Sequence, residues 1–355
     1  MYKFGLKLWS TNKNYIKPAL DLYENGFFSY IELFSVPGSF QDYVHIWKQL
    51  TIPFIIHAPH SETGLNLAKK NQFKTNMHLA QEALRYADQL NADTIIFHPG
   101  IDGDIQETIR QINIINDPRV TIENKPYYTV NDDRICVGHS PEQIKKILNQ
   151  TNTKFCLDLA HGVCSANAQH TDPFVFLEQF SELKPYMFHI TDGNIHGARD
   201  IHEHIGHGSF DVQKLLQIVP HQSYITIETP KSSQEHLDDF INDIKQLKKA
   251  IILDQNFFKI SPAKKTDIKD LFELANDPIV RKNSLNQETI LWENHVPWFA
   301  KKLENKDTIF YVLQTNTGRF VGYVRFDEDD DLQGHVISVA LVQNFRGYGI
   351  GPLLI

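Results

Sequence analysis

The chain has 355 residues, of which 41% are hydrophobic and 22% are charged, and its formal net charge is −8. Single cores stop growing at roughly 250 to 300 residues, so this length predicts two domains. No run approaches the roughly 18 apolar residues of a membrane span, and the opening segment MYKFGLKLWS lacks a secretory signal pattern. We therefore expect a cytoplasmic protein with no membrane partner. The negative charge argues mildly against nucleic acid, which is usually bound through clustered Lys and Arg.

Cysteine and histidine usage narrow the class further. The three cysteines, Cys136, Cys156 and Cys164, leave an odd count that does not indicate a disulfide framework, and a reducing compartment fits them. Most of the histidines lie before residue 250, several of them beside carboxylates or at the ends of apolar runs. That distribution indicates metal binding.

Short apolar runs alternate with amphipathic stretches over the first 250 residues. The runs are Lys3–Trp9, Tyr30–Phe34, Pro53–His57, Thr94–His98, Val120–Glu123, Lys154–Asp158, Met187–Thr191 and Tyr224–Glu228. Helices are predicted at Asn71–Leu90, Pro141–Asn149, Val212–Ile218 and Gln234–Leu247. Eight strand-then-helix units predict an α/β fold, a closed parallel (β/α)8 barrel. A doubly wound open sheet is the alternative, although it gives the polar strand ends less reason to converge.

A different pattern begins near residue 257, after a short predicted connection IILDQN at 251–256. The predicted strands Thr308–Gln314, Arg319–Asp327 and His335–Val342 follow one another without intervening helices. This order predicts a mixed or antiparallel sheet in a smaller α+β domain. We therefore expect a barrel over residues 1–250 and a second domain over 257–355.

Metal-competent side chains stand at the ends of six of the eight predicted barrel strands and in the loops that follow. In this architecture the carboxyl ends of the strands face one shared cup. The candidate ligands are His57, His98, Glu123, Asp158, His161, His189, Asp200, His202 and Glu228. Histidine with carboxylate suits zinc, with manganese as the alternative. Nine candidates exceed the needs of one ion, so we expect two or three ions and hydrolysis of a phosphoester.

Four further histidines lie in the same loops but fit no defined ligand position. They are His60, His196, His204 and His207, and we interpret them as substrate contacts or surface residues.

The barrel residues resemble those of the endonuclease IV type of apurinic/apyrimidinic endonuclease (AP endonuclease family 2), within the wider xylose isomerase-like TIM barrel superfamily. The likeness spans about residues 1–250 and rests on FHPG at 97–100, IEN at 122–124, DLAH at 158–161, HITD at 189–192 and DIH at 200–202. It implies a DNA repair hydrolase acting on abasic DNA, with a trinuclear zinc cluster held by the nine candidate ligands. It also implies that Glu123 and Glu228 bridge ions and makes them, with Asp158, the catalytic candidates.

Two departures from that family concern the loops that read damaged DNA. The family usually has Asp-Ser-Tyr after its strand-three histidine, whereas this chain has Ala58, Pro59 and His60, and KPYYTV follows the IEN motif. These departures weaken the case for DNA as the substrate.

A second reaction class comes from the same superfamily. Sugar isomerases and epimerases place a Glu, an Asp, a His and a Glu around a single divalent ion, which Glu123, Asp158, His189 and Glu228 would satisfy. That interpretation leaves His57, His98, Asp200 and His202 without a role, so the hydrolase is favoured. A non-enzymatic binding module would have little use for so many ligands.

From about Lys259 the chain resembles the amino-terminal part of a GCN5-related N-acetyltransferase (GNAT), of the kind that acetylates amino sugars for surface glycans. The likeness rests on NDPIVRKNS at 276–284, WENHVPWFAKKL at 292–303 and VGYVRFD at 321–327. The motif RGYGIG at 346–351 resembles the acetyl-CoA loop, which implies that Arg346, Gly347, Gly349 and Gly351 contact this cofactor. The expected helix behind that loop would continue past Ile355, so we expect a C-terminally truncated domain. The resemblance implies a link to carbohydrate metabolism, which favours an isomerase or a hydrolase of a phosphorylated or nucleotide sugar over DNA repair.

Overall fold

The computed structural model describes residues 2–253, 258–329, 334–346 and 350–354. Its contacts divide the chain into two compact units, Met1–Gln246 and Leu247–Ile355. Each unit has its own sheet.

Parallel strands close into a barrel in the first unit. In chain order they are β1 (Lys3–Trp9), β2 (Tyr30–Phe34), β3 (Phe54–His57), β4 (Ile95–Phe97), β5 (Val120–Glu123), β6 (Lys154–Asp158), β7 (Met187–Ile190) and β8 (Tyr224–Ile227). Each strand pairs with the next, and β8 pairs with β1 to close the ring. The predicted (β/α)8 barrel is confirmed, and the open-sheet alternative is wrong.

Helices follow the strands around the outside of the barrel. They are α1 (Ile16–Glu24), α2 (Phe40–Trp47), α3 (Phe73–Leu90), α4 (Ile105–Ile115), α5 (Pro141–Gln150), α6 (Leu159–Ala168), α7 (Pro173–Ser181), α8 (Val212–Ile218) and α9 (Asp238–Leu253). Side-chain caps define several starts: Ser140 accepts from the Gln143 amide and Asp211 from the Lys214 amide. Residues 251–253 belong to α9, so the predicted connection at 251–256 is wrong for its first half; its remainder lies outside the described residues.

The interior of the barrel has two layers, which follow from the alternation of side chains along each strand. A lower layer contains the buried cluster Tyr30, Ile55, Ile96, Cys156 and Met187. Because residues i and i+2 of a strand face the same side, the next inward residue on each of these strands is polar. Those residues are Glu32, His57, His98, Asp158 and His189. The apolar layer therefore forms the floor on which the polar layer stands.

The second unit is built on an antiparallel sheet with helices. Its elements are β9 (Phe258–Pro262), α10 (Ile268–Ala275), α11 (Pro278–Lys282), α12 (Trp292–Glu304), β10 (Thr308–Thr315), β11 (Phe320–Asp329), β12 (Gly334–Leu341) and α13 (Ile350–Leu353). The strand order is β12-β11-β10-β9, and Leu271 and Phe299 pack against Phe310 and Val312 of β10. The predicted α+β class is confirmed, and β9 is an addition to the prediction. Among the described residues no helix is both long and apolar enough to cross a membrane.

Truncation of the floor should destabilise the barrel. Ile96 is fully buried in the interior cluster, so Ile96→Ala should lower the free energy of unfolding by about 2–5 kcal/mol through lost burial and a residual cavity. The matched control is Ile114→Ala on α4, where the side chain is 47% exposed and the cost should be within about 0.5 kcal/mol. Urea unfolding followed by circular dichroism compares the two, and equal costs would contradict the assignment of Ile96 to the core.

Candidate metal centre

A ring of charged and imidazole side chains stands above the floor, at the carboxyl ends of the barrel strands. In strand order the ring consists of Lys7, Glu32, His57, His98, Glu123, Asp158, His189 and Glu228. All but Lys7 and Glu228 are at least nine-tenths buried. The last six members are among the predicted ligands, whereas Lys7 and Glu32 were not predicted, although both follow the same two-residue alternation.

The remaining candidate ligands come from the segments after β6 and β7. Asp158 caps α6 by accepting a hydrogen bond of 2.7 Å from the His161 amide, which places His161 on the first helical turn beside the ring. Asp200 and His202 lie in the loop after β7, where Asp192 and Glu203 form an antiparallel bridge. The Asp192 carboxylate also accepts from the amides of Gly193, Gly206 and Phe210. This loop is therefore held against the barrel rather than left to solvent.

The donor atoms of all nine predicted ligands converge in overlapping groups. Within the described residues, ligand atoms lie within 4.8 Å of one another in the groups His57–His98–Glu123, Glu123–Asp158–His161, His161–Asp200–His202, Glu32–His189–Glu228 and Glu123–Cys156–His189. Glu123 is central. Its Oε2 lies 3.3 Å from His57 Nε2 and 3.1 Å from His98 Nε2, and its Oε1 lies 3.1 Å from His161 Nδ1.

Three imidazole rings are oriented toward this centre by hydrogen bonds at Nδ1, the ring nitrogen that faces away from it. His57 Nδ1 lies 2.7 Å from the Ala58 carbonyl, His161 Nδ1 lies 2.9 Å from the Asn124 carbonyl, and His202 Nδ1 lies 2.7 Å from the Glu228 carbonyl. A carbonyl can only accept, so in each ring Nδ1 carries the proton and Nε2 presents a lone pair. Such bonding is typical of metal-ligating histidine.

Lone pairs consequently face one another across the centre. His161 Nε2 lies 3.2 Å and His202 Nε2 lies 2.6 Å from the same oxygen of Asp200. An imidazole lone pair and a carboxylate oxygen at this distance need a cation between them, either a proton or a metal ion. Burial disfavours charged His161, but Asp158, Asp200 and Glu123 outweigh burial and raise its pKa to about 10. The donor set thus attracts positive charge strongly.

Three buried ligand atoms have no hydrogen-bond partner among the described residues: Glu123 Oε1, Asp158 Oδ2 and His189 Nδ1. Buried polar atoms are rarely left in this state. Burial raises the pKa of Asp158, and the neighbouring carboxylates of Glu123 and Asp200 raise it further against the opposing effect of His161. Divalent cations would satisfy the unpartnered atoms and relieve the repulsion, so the residues present fit a metal cluster.

A cavity of about 640 Å³ opens above the centre and carries basic side chains on its walls. Lys7, Lys125 and Lys231 line it together with the ligands. Burial lowers the pKa of Lys231 to about 8, and its ammonium donates to the Thr229 carbonyl at 2.6 Å. Because the Lys7 ammonium is paired with Glu32 and Glu228, Lys125 and Lys231 are the wall lysines that can face a ligand.

The four unassigned histidines divide between the cavity and the surface. His60 lines the cavity and stacks on His98 with ring centroids 5.5 Å apart, and burial, with Lys125, lowers its pKa to about 3. His204 Nδ1 lies 3.0 Å from Asp243 and has a structural role, whereas His196 and His207 are exposed. His60 therefore lies at the cavity wall as a neutral ring, and its interpretation as a substrate contact stays a prediction.

The predicted acetyl-CoA residues are only partly described. Arg346 Nε donates to the Leu341 carbonyl at 2.7 Å, and Arg346 Nη2 lies 2.8 Å from Asp277 Oδ1. Gly351 lies in α13, where a Cβ atom would meet nothing within 4 Å. Gly347 and Gly349 lie outside the described residues.

Comparison with known proteins shows the families that the two units of the chain match. The chain belongs to the xylose isomerase-like TIM barrel family, whose model matches residues 28–251. Residues 269–355 match the model of the acetyltransferase (GNAT) family. Both resemblances drawn from the sequence are thereby confirmed at the level of the family.

Individual relatives are distant. A probable endonuclease 4 of Staphylococcus aureus (strain JH9) is 26% identical over 200 residues, and the match covers 50% of this chain and 66%, just under two thirds, of that relative. Endonuclease IV from Thermus thermophilus is similar in structure with a TM-score of 0.55 and 17% identity, covering 71% of this chain and 99% of that one. A D-tagatose 3-epimerase-like protein gives a TM-score of 0.54 and 19% identity, covering 71% and 97%. The two structural likenesses show the fold.

The glycine of the FHPG motif should be intolerant of a side chain. Gly100 has φ +121°, and a Cβ there would lie 2.4 Å from Asn66 Oδ1 and 2.8 Å from the Ala68 amide nitrogen. We expect Gly100→Ala to cost at least about 1–3 kcal/mol of stability. Gly26→Ala is the control, because φ is +72° but no atom lies within 4 Å of the Cβ position. Thermal unfolding separates the two, and an equal loss would show that the contact with the Asn66–Ala68 segment has no effect.

Proposed function

We propose that the barrel is a metal-dependent hydrolase of phosphoester bonds, with two or three zinc ions bound by the nine predicted ligands and manganese as the alternative metal. The observation that carries this proposal is the presence of separate donor groups on either side of Glu123. His57 and His98 form one group with Glu123, and His161, Asp200 and His202 form another. An enzyme with one ion has no need of them.

Different residues of the centre would have different roles in the proposed hydrolysis. Bound ions would supply a hydroxide at neutral pH and neutralise charge on the phosphoryl oxygens. Glu123 Oε2 faces Nε2 of His57 and of His98, whereas Oε1 has no hydrogen-bond partner among the described residues, so the two oxygens could serve different ions. Asp158 and Glu228 complete the set around His189, with His189 Nδ1 lying 3.0 Å from Glu228 Oε1 and 4.0 Å from Asp158 Oδ2. These three carboxylates are therefore the catalytic candidates.

The substrate we favour is a phosphorylated or nucleotide sugar, with abasic DNA as the other candidate. A cavity of about 640 Å³ lies within the range that holds small ligands, roughly 300–1,000 Å³. Lys125 and Lys231 on its walls suit a phosphate group. His60 is stacked on His98 and does not extend outward in the way expected of a side chain that enters DNA. The acetyltransferase match supports a link to amino-sugar or surface-glycan metabolism.

One observation favours a sugar isomerase or epimerase as the second candidate. Glu123, Asp158 and Glu228 all lie within 4.0 Å of His189 Nδ1, which is the arrangement a single divalent ion needs for enolisation. In an isomerase with one ion, His57 and His98 on one side and His161, Asp200 and His202 on the other would bind no metal.

Metal content separates the two functions. Elemental analysis of freshly purified protein should give two to three zinc ions per chain, with fewer in Glu123→Ala and in His98→Ala. Hydrolysis of an abasic duplex, a nucleotide sugar and a generic phosphodiester should fall at least about 100-fold in both variants, because charge stabilisation is lost. His335→Ala, an exposed histidine of the second unit, is the control and should keep all ions.

A single ion per chain that is lost in Glu123→Ala but kept in His98→Ala would contradict the multinuclear hydrolase. Interconversion of sugars or sugar phosphates by that protein would then support the isomerase.

For the second unit we propose acetyl-CoA binding, as expected of its family. A cavity of about 1070 Å³ within this unit is lined by Arg346, Ile350 and Gly351 and by strand β12. It brings the end of the RGYGIG motif beside a strand edge that the pantetheine arm could follow. Transfer of the acetyl group to an amino sugar is the corresponding proposed activity.

Calorimetric titration tests this binding directly. Acetyl-CoA should bind at a stoichiometry of one, and ATP, which has an adenosine polyphosphate but no pantetheine arm, should bind at least 10-fold more weakly. Equal affinities would mean that the chain does not recognise the pantetheine arm.

A further inference from the structure

Lys7 and Glu32, the two ring members that were not predicted from the sequence, form an ion pair beside His189. The Lys7 ammonium lies 2.5 Å from Glu32 Oε1 and 2.7 Å from Glu228 Oε1. Glu32 is fully buried, and its second oxygen, Oε2, lies 2.9 Å from His189 Nε2 and accepts from the Thr226 hydroxyl at 2.5 Å. Both oxygens of Glu32 are therefore held by donors of the protein.

His189 is held differently from the other oriented histidines. His57, His161 and His202 each donate from Nδ1 to a main-chain carbonyl, whereas His189 is held at Nε2 by a side-chain carboxylate. An ionised carboxylate can only accept, so His189 carries its proton on Nε2 and directs the lone pair of Nδ1 toward Glu123 and Glu228. The opposite tautomer would put a proton where a ligand atom is needed.

Lys7 determines which atom Glu32 can turn toward His189. An ammonium group has three donors and no acceptor, so the atom of residue 32 that faces it must be an oxygen. A carboxylate meets this demand and the demand of His189 at once. A glutamine cannot, because its single oxygen would face Lys7 and its NH2 group would face His189.

We infer that Lys7 and Glu32 are a positioning pair that holds His189 in its Nε2–H tautomer and so keeps Nδ1 available to the ion shared with Glu123, Asp158 and Glu228. This inference rests on the proposed metal centre. Outer carboxylates of this kind typically contribute 10- to 100-fold to metal affinity. The pair acts through His189 and need not touch the substrate.

The test measures zinc affinity in the full chain by competition with a chromogenic chelator. Glu32→Gln should weaken one ion per chain 10- to 100-fold and leave the others bound as in the parent. The double variant Lys7→Met with Glu32→Gln should recover most of that affinity, because the glutamine oxygen is then free to accept from His189. Nitrogen-15 NMR of the histidines should report the Nε2–H tautomer in the parent and in the double variant, and its loss in Glu32→Gln.

Two further variants keep the test decisive. Thr226→Val removes one donor to the same Glu32 oxygen without changing side-chain shape, so a smaller, few-fold weakening of the same ion is expected even if Glu32→Gln folds poorly. Glu82→Gln is the matched control, since Glu82 is a buried carboxylate that accepts from the amides of Gly38 and Phe40 away from the centre. It should leave every zinc affinity unchanged.

The outcomes distinguish this inference from the proposed function. A parent protein with two or three ions whose affinities are unchanged by Glu32→Gln would overturn the positioning pair and leave the hydrolase intact. A weakened ion that the double variant does not restore would overturn the tautomer mechanism. A parent that binds no zinc would overturn the proposed function itself.

Discussion

Closure of the barrel imposes one constraint on which the candidate centre depends: on every strand, alternate side chains must enter the same interior. Moving up one step, Ile55 is followed by His57, Ile96 by His98 and Met187 by His189. The lower residues fill the barrel interior, so the side chains of the upper residues must lie close to one another. Even the small residues obey this rule, because Gly5 leaves the space that the Tyr30 ring occupies. The fold therefore produces a ring of buried polar groups, and the negative charge of its carboxylates must be neutralised.

Positive charge can neutralise the carboxylates of this ring. Burial would raise the pKa of Glu32, but His189 and the Lys7 ammonium outweigh burial and lower that pKa to about 2. Glu123 and Asp158 have no lysine or arginine partner among the described residues and instead face imidazole nitrogens. Those nitrogens are oriented from behind so that their lone pairs also face inward. The side of the ring near β1 and β2 is thus neutralised by the protein, while the side near β5 and β6 is left for a cation from solution.

Sequence alone could predict the strands and the convergence of the candidate residues at their ends, because parallel strands of a barrel bring their carboxyl ends together. His161, Asp200 and His202 lie beyond the strand ends, and whether any of the nine binds metal stays a prediction. Lys7 and Glu32 do not stand at strand ends, because β1 and β2 continue with apolar residues to Trp9 and Phe34. The two-residue alternation of inward-facing positions along β1 and β2 would have identified both residues. The tautomers could not be predicted, since they depend on carbonyls such as those of Ala58 and Asn124, whose directions are set by loops after the strands.

The same geometry explains why one fold can serve both hydrolysis and sugar isomerisation. Glu123, Asp158, His189 and Glu228 come from four consecutive strands and form a set that the barrel supplies at little structural cost. Additional ion positions require His57 and His98 on one side, and on the other the α6 turn with His161 and the loop with Asp200 and His202. The Asp192 carboxylate accepts from the amides of Gly193, Gly206 and Phe210 and so fixes the backbone of that loop. The proposed multinuclear centre would therefore take its outer ligands from segments that the hydrogen bonds of Asp158 and Asp192 hold in place, and not from loops left to solvent.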